Sequence, residues 1–294
     1  MTHFITTAWH VDLVFLIGFV AIAGGYAAAM WQAAGTQPER GIPRQVWFVT
    51  GLALLLVAVT SPLDALAAEY LLSAHMVQHL LLSQIIPPLL LLGLPATWVA
   101  RALTHPTVAA VERQLRRPLV AWSAGILVLW LWHVPAMFDL AAANHTVGHL
   151  HHLTVLAAGL IFWWPIVSPV PRSRMDALPS AAYLIAACLA STVLGMTLTF
   201  APEPVYAAYR QPIDSFGVLA NLRTAGLTPR SDQQIAGLIM WMPCCVLYLI
   251  GIGGVLLRWY MEGEAAGPAL TPGPSPAGAG EGSLIGTRLP VSRR

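Results

Sequence analysis

The chain has 294 residues, 57% of them hydrophobic and 10% charged, with a mean hydropathy of +0.67. That balance excludes an ordinary soluble domain, in which roughly a quarter of the residues are charged. A net charge of +2, with no basic cluster on any soluble segment, gives no support to a nucleic-acid partner.

Seven apolar runs approach or exceed the roughly 20 residues that cross a bilayer: about Trp9–Trp31, Gln45–Thr60, Tyr70–Leu94, Leu119–Phe138, His145–Val167, Ser180–Phe200 and Gln233–Tyr260. The pattern predicts an all-α membrane protein, a seven-transmembrane-helix bundle over residues 1–261. The Gly/Pro-rich tail, residues 262–294, cannot bury a core and is expected to be disordered. The start of the chain lacks the basic region of a cleaved signal peptide, so the first run reads as a retained helix. All 15 basic residues are arginine. With the N-terminus outside, twelve fall on one side (Arg40, Arg44, Arg101, Arg113, Arg116, Arg117, Arg172, Arg174, Arg258, Arg288, Arg293 and Arg294) and three on the other (Arg210, Arg223 and Arg230). Basic residues collect on the cytoplasmic side, so the expected topology is N-terminus outside and C-terminus cytoplasmic.

The first span carries Trp9 and Asp12 at its outer end and Trp31 at its inner end. The second stops at Thr60-Ser61-Pro62, and Asp64 and Glu69 follow in a short outer loop. The third, SAHMVQHLLLSQIIPPLLLLGLP, is the informative one. His75 and His79, four apart, share one helical face. Pro87 and Pro88 leave the carbonyls of Ser83 and Gln84 short of donors, a break tolerated in a bilayer where neighbouring helices answer it. Polar residues in such a segment mark a functional site and place this helix centrally. The next loop carries four arginines and His105, which reads as a cytoplasmic loop residue. The fourth span ends LWHVPAMFD, with His133 near the outer end and a bend at Pro135. The fifth opens NHTVGHLHH, with Asn144 as N-cap. His145, His149 and His152 recur at i, i+4 and i+7 on one face, and His151 points elsewhere. The sixth brings Met196 to its outer end. The long loop after it, with Tyr206, Tyr209 and Phe216, is expected to pack over the bundle mouth. The seventh opens with Asp232 and carries Met240.

At about 1.5 Å per residue, His75, His79, His133, His149, His152, Met196 and Met240 share one level, roughly 5–15 Å inside the outer boundary. Three chemistries use such a layer. Imidazole and thioether donors suit copper, two histidines on facing helices hold a b-type haem, and a polar cavity conducts protons or substrate. Asp139 and other outer carboxylates are candidates to orient the imidazoles. Cys244 and Cys245 lie deeper and, as chain neighbours, are too close to bridge each other. Cys188 reads as a small buried residue. Neither a nucleophile elbow nor a zincin motif is present.

The phrases SAHMVQHLLL with PPLLLLGLP, WHVPAMFD, HLHHLTVLAAGLIFWWP and DQQIAGLIMW, in that order, strongly resemble the CtaG family of bacterial integral-membrane cytochrome c oxidase assembly factors, from about Trp9 to Tyr260. The resemblance implies a seven-helix, non-enzymatic protein of the bacterial cytoplasmic (inner) membrane that supports assembly of haem–copper oxidase and supplies its copper. Carried over by motif, His75 and His79 of HMVQH, His133 of WHVP, and His149 and His152 of HLHH are the implied metal residues. Asp139, Asp232, Met196 and Met240 accompany them, while His145 and His151 look like extras. The implied partners are a cytochrome c oxidase subunit, membrane lipid and a periplasmic copper donor. A b-type bis-histidine cytochrome and a copper transporter are the competing readings.

Overall fold

The computed structural model describes residues 6, 8–9, 12–33, 42–210, 214 and 217–265, and every regular element among them is helical. The chain divides into two units, Met1–Leu256 and Leu257–Arg294. In the second, the described residues are the end of the last helix, where Tyr260 donates to Glu264 (2.7 Å).

The first unit opens with α1 (Leu13–Ala33), whose first turn is capped by the Asp12 carboxylate accepting from Phe15 N (3.1 Å). Next comes α2 (Arg44–Thr60). It breaks at Ser61, whose hydroxyl accepts from Leu63 N as Pro62 starts α3 (Pro62–Ala65), and a wide i→i+5 turn follows over Leu66–Tyr70. The central span consists of α4 (Leu72–Leu80), a second wide turn over Leu81–Ile85, and α5 (Ile86–Gly93). Pro87 and Pro88 lack the N–H groups that Ser83 and Gln84 would otherwise accept from, and the helix widens immediately before them. Short helices α6 (Ala96–Ala102) and α7 (Pro106–Leu115) lead to α8 (Pro118–His133) and α9 (Pro135–Ala143). Asn144 caps α10 (His145–Val167) by accepting from Val147 N (3.2 Å). Finally come α11 (Ala177–Phe200), α12 (Val218–Thr224) and α13 (Pro229–Ala265).

Five described segments are long and apolar enough to cross a membrane: Phe15–Gln32, Leu72–Gly93, His145–Val167, Ala177–Phe200 and Pro229–Glu264. The count reaches seven when two bent pairs are each taken as one span. These are Arg44–Thr60 with Pro62–Tyr70, bent by 45°, and Pro118–His133 with Pro135–Ala143, bent by 75°. Each bend sits at a proline. The last helix continues to Ala265, past the expected boundary at 261; residues 266–294, expected to be disordered, lie outside the described residues.

Close approach of helices fixes the centre of the bundle. A Cβ on Gly93 would lie 2.7 Å from the backbone nitrogen of Phe48, so α5 meets α2 backbone to backbone. Tyr26 of α1 stacks on Phe48 (3.6 Å between centroids) and donates to Gly93 O (3.0 Å). Gly159 of α10 does the same for the proline break, since a Cβ there would lie 2.7 Å from both Ser83 O and Pro87 Cγ. Between α11 and α13, Cys188 and Cys245 form a disulfide with Cα atoms 5.3 Å apart. Cys188, read from the sequence as a small buried residue, is thus half of a cross-link between helices. A sequence separation of 57 hid the pairing, which depends on how α11 and α13 cross. At the end of the bundle away from the histidines, Arg44, Arg116 and Arg174 donate to the carbonyls of Leu94, Arg172 and Ser168 (2.7–2.8 Å).

Candidate metal centre

Three imidazoles converge about one to two turns below the helix starts at Leu72 and His145. His75 and His79 stand on α4 at i and i+4, with ring centroids 4.7 Å apart. His151 of α10 faces both, 5.4 Å from His75 and 4.6 Å from His79. Taking one donor atom from each, the three ligand atoms lie within 4.8 Å of one another. All three residues are buried. Among the described residues this is the one cluster of His, Cys, Asp or Glu donors close enough to share an ion.

The polar atoms of the cluster are not all answered. His79 Nε2 lies 2.7 Å from His151 Nε2, so one ring donates and the other accepts. His75 Nε2 and His79 Nδ1 are buried without a hydrogen-bond partner. A fourth ring, His133, lies 5.3 Å from His79 at a steep angle. Its Nδ1 is 2.7 Å from Leu129 O. A carbonyl only accepts, so Nδ1 carries the proton, and the buried, unpartnered Nε2 of the neutral ring presents a lone pair. Buried nitrogens without partners cost about 1–3 kcal/mol each, and a cation relieves several of them together. The donor set fits a metal that accepts imidazole ligands.

Neighbouring elements hold the rings in place. The buried Asp232 carboxylate, from the first turn of α13, accepts from Leu72 N (2.8 Å), Ser73 N (3.2 Å) and Ser73 Oγ (2.5 Å). It thereby caps the helix that carries His75 and His79, satisfying donors that a buried helix start leaves open. Gln78, between the two histidines, donates to Ala58 O (2.7 Å) and Asp64 (2.5 Å) and sets the rotation of α4 against α2. Trp132 packs on His151 (4.7 Å) and donates to Thr154 (2.9 Å).

The loop after α11 covers the cluster. Phe138 packs on His75 (4.7 Å), and Tyr206 stacks on Phe138 (3.9 Å) while donating to His133 O (3.1 Å). Tyr209 faces His75 and donates to Ala67 O. The segment is tied down by Val205 N donating to Gln233 (2.6 Å) and Ala208 N to Asp139 (3.3 Å). Both tyrosines lie outside the spanning helices. Burial raises the Tyr206 phenol above its ordinary range, with Asp139 adding to it; burial does the same for Tyr209, with Asp232 adding most after it. They therefore act as neutral donors. Phe216, expected in the same cover, lies outside the described residues.

The expected residues are thus distributed unevenly. His75 and His79 lie in the cluster and His133 beside it. His149 and Met196 are exposed, and His152 is half-buried, its ring 5.4 Å from His151. Met240 is buried among Leu72, Met76 and Phe138. Asp139 and Asp232 bind backbone N–H groups, and among the described residues no hydrogen bond joins either of them to an imidazole. His151, set aside as an extra, takes the place expected of its neighbour. His151 begins the buried row His151, Val155, Ala158, Gly159 and Phe162, which faces the central span, and packing rather than sequence singles this row out.

The sequence profile of the cytochrome c oxidase caa3 assembly factor family (Caa3_CtaG) matches residues 24–262. The chain belongs to this family. Uncharacterized proteins of Mycobacterium leprae (24% identical over 273 residues) and of Mycobacterium bovis and Mycobacterium tuberculosis (each 22% over 271 residues) are similar to it. The matches cover 86–87% of this caa3 assembly-factor chain and 40% of each relative, so the chain spans well under half the length of these proteins. No solved structure matches it.

Proposed function

We propose that this member of the caa3 assembly-factor family binds a copper ion reversibly between His75, His79 and His151 and delivers it to a subunit of cytochrome c oxidase. The observation that carries the reading is the convergence of three buried imidazoles, two with ring nitrogens that nothing else answers. Three protein donors leave a coordination position open, which suits exchange; a closed four-ligand shell is the mark of a structural metal. His133, with its lone pair 5.3 Å ring to ring from His79, is placed to join as copper arrives or leaves. The protein performs no bond chemistry in this account: it holds a cargo ion and gives it up. A bis-histidine haem requires its two rings on opposite faces of a flat macrocycle, whereas these rings pack against one another at 4.6–5.4 Å, and the geometry favours a single ion.

In this reading the seven-span topology holds, with the bent pairs each crossing once. The arginine-rich end faces the cytoplasm, and the histidine cluster lies in the outer leaflet of the bacterial cytoplasmic membrane. A periplasmic donor would then load the site, and the oxidase subunit would receive copper beside or within the bilayer. The test is complementation of a strain lacking the gene. Wild-type protein restores copper-replete oxidase, and a His75→Ala/His79→Ala variant that reaches the membrane in equal amount does not. Full restoration by that variant would remove the cluster from the function.

A further inference from the structure

The cluster is shut in: His75, His79 and His151 expose 8%, 4% and 3% of their surfaces, and Phe138, Tyr206 and Tyr209 cover one flank. A buried ion site loads most readily past donors that lie between it and the surface. Three histidines outside the cluster meet that condition in sequence along α10. His145, the first residue of the helix, is exposed, and His149, one turn further, is exposed as well. His152 follows, half-buried, with its ring 5.4 Å from that of His151. Positions i, i+4 and i+7 lie on one helical face, and the row descends about 10 Å into the bundle. The Asp64 carboxylate, which also accepts from Gln78, lies within electrostatic reach of His152, as does His149. Of the three, His152 is the most enclosed and the one shown beside the cluster.

We propose that His145, His149 and His152, with Asp64 beside the last, form an outer relay of weak copper stations that loads the buried site. The proposal rests on reading the buried cluster as the copper site. Successive imidazoles bind the ion in turn, each new nitrogen joining before the previous one leaves. The ion keeps its oxidation state and no covalent bond of the protein breaks. The Asp64 charge favours a cation at the innermost station, and the step from His152 to His151 passes between adjacent residues. Donors that hold copper only transiently govern the rate of loading and leave the equilibrium occupancy unchanged.

The experiment uses the full chain in detergent, loaded anaerobically with Cu(I) from its coloured bicinchoninate complex, whose bleaching gives both rate and stoichiometry. A His149→Ala/His152→Ala variant is expected to take up as many copper equivalents as wild type with unchanged affinity, but about tenfold or more slowly. A His145→Ala variant slows by less. Loading at the wild-type rate would overturn the relay. Loss of the copper equivalent in the double variant would overturn it too, by making these residues ligands of the main site. A His75→Ala/His79→Ala variant run in parallel separates the two readings: if it retains the full copper equivalent, the buried site itself fails, and the relay with it.

Discussion

Asp232 shows how much of the candidate site depends on a residue that touches no histidine. Its carboxylate accepts three hydrogen bonds at the start of α4, across a gap of 160 residues in sequence. Asp232→Ala leaves two backbone N–H groups and a serine hydroxyl without their acceptor, and is expected to cost about 2–3 kcal/mol in a thermal or denaturant melt. Asp232→Asn keeps one acceptor oxygen and should lose less. Copper affinity should fall about 10–100-fold in the alanine variant, because the helix bearing two ligands loses its anchor. Tyr209→Phe removes the donor to Ala67 O, costs about 1 kcal/mol and should speed copper release by uncovering His75. The phenols of Tyr206 and Tyr209 titrate above the ordinary value of about 10. Folding therefore favours their protonated forms, and the stability this contributes is complete below pH about 10 and lost as pH rises through the higher folded values. Phenolate absorbance from these two buried rings should accordingly appear only after that of the exposed Tyr260. At this scale the sequence was legible for His75 and His79, because an i, i+4 pair in an apolar helix has few readings. It was not legible for His151. Two adjacent histidines project about 100° apart on a helix, and only the partner helix decides which of them is inside.

Among the elements, the proline break carries the most consequence. The wide turn at Leu81–Ile85 lies directly after His79, and Ser83 Oγ donates back to His79 O (2.7 Å). Gly159 lets α10 settle against this turn and so brings His151 to its partners. Gly159→Leu would drive a side chain into Ser83 O and Pro87. The expected outcome is a loss of about 1–3 kcal/mol, together with weakened copper binding as His151 is pushed away from α4; melting and copper titration of one preparation check both. The break itself could be read from Pro87 and Pro88, since proline has a fixed effect on the carbonyls before it. The Asn144 cap and the bend at Pro135 were legible for the same local reason. The Cys188–Cys245 disulfide and the Gly93 contact were not, because both are set by where two distant helices cross.

For the whole molecule, composition announced an apolar helical protein before any motif was read, and the described elements, all helical and several long enough to cross a membrane, agree with it. The number of spans is a subtler matter, because two of the seven runs fold as helices bent by 45° and 75°. In the proposed topology each bent pair crosses once. Reporter fusions after Arg116 and after Ser173 should then read cytoplasmic, and fusions after Tyr70 and after Glu203 periplasmic. A fusion after Tyr70 on the same side as one after Arg116 would contradict the count. The polar layer was legible as a shared depth on several helices, but its membership was not. Depth can be counted along a helix, whereas rotation about its axis is fixed by packing, and packing chose His151 over His149 and His152.

The most direct test is equilibrium copper titration of purified wild-type, His151→Ala and His152→Ala proteins side by side. The account predicts about one tightly held copper per chain in wild type, its loss in His151→Ala, and its retention in His152→Ala. Undiminished binding by His151→Ala, or loss confined to His152→Ala, would contradict it.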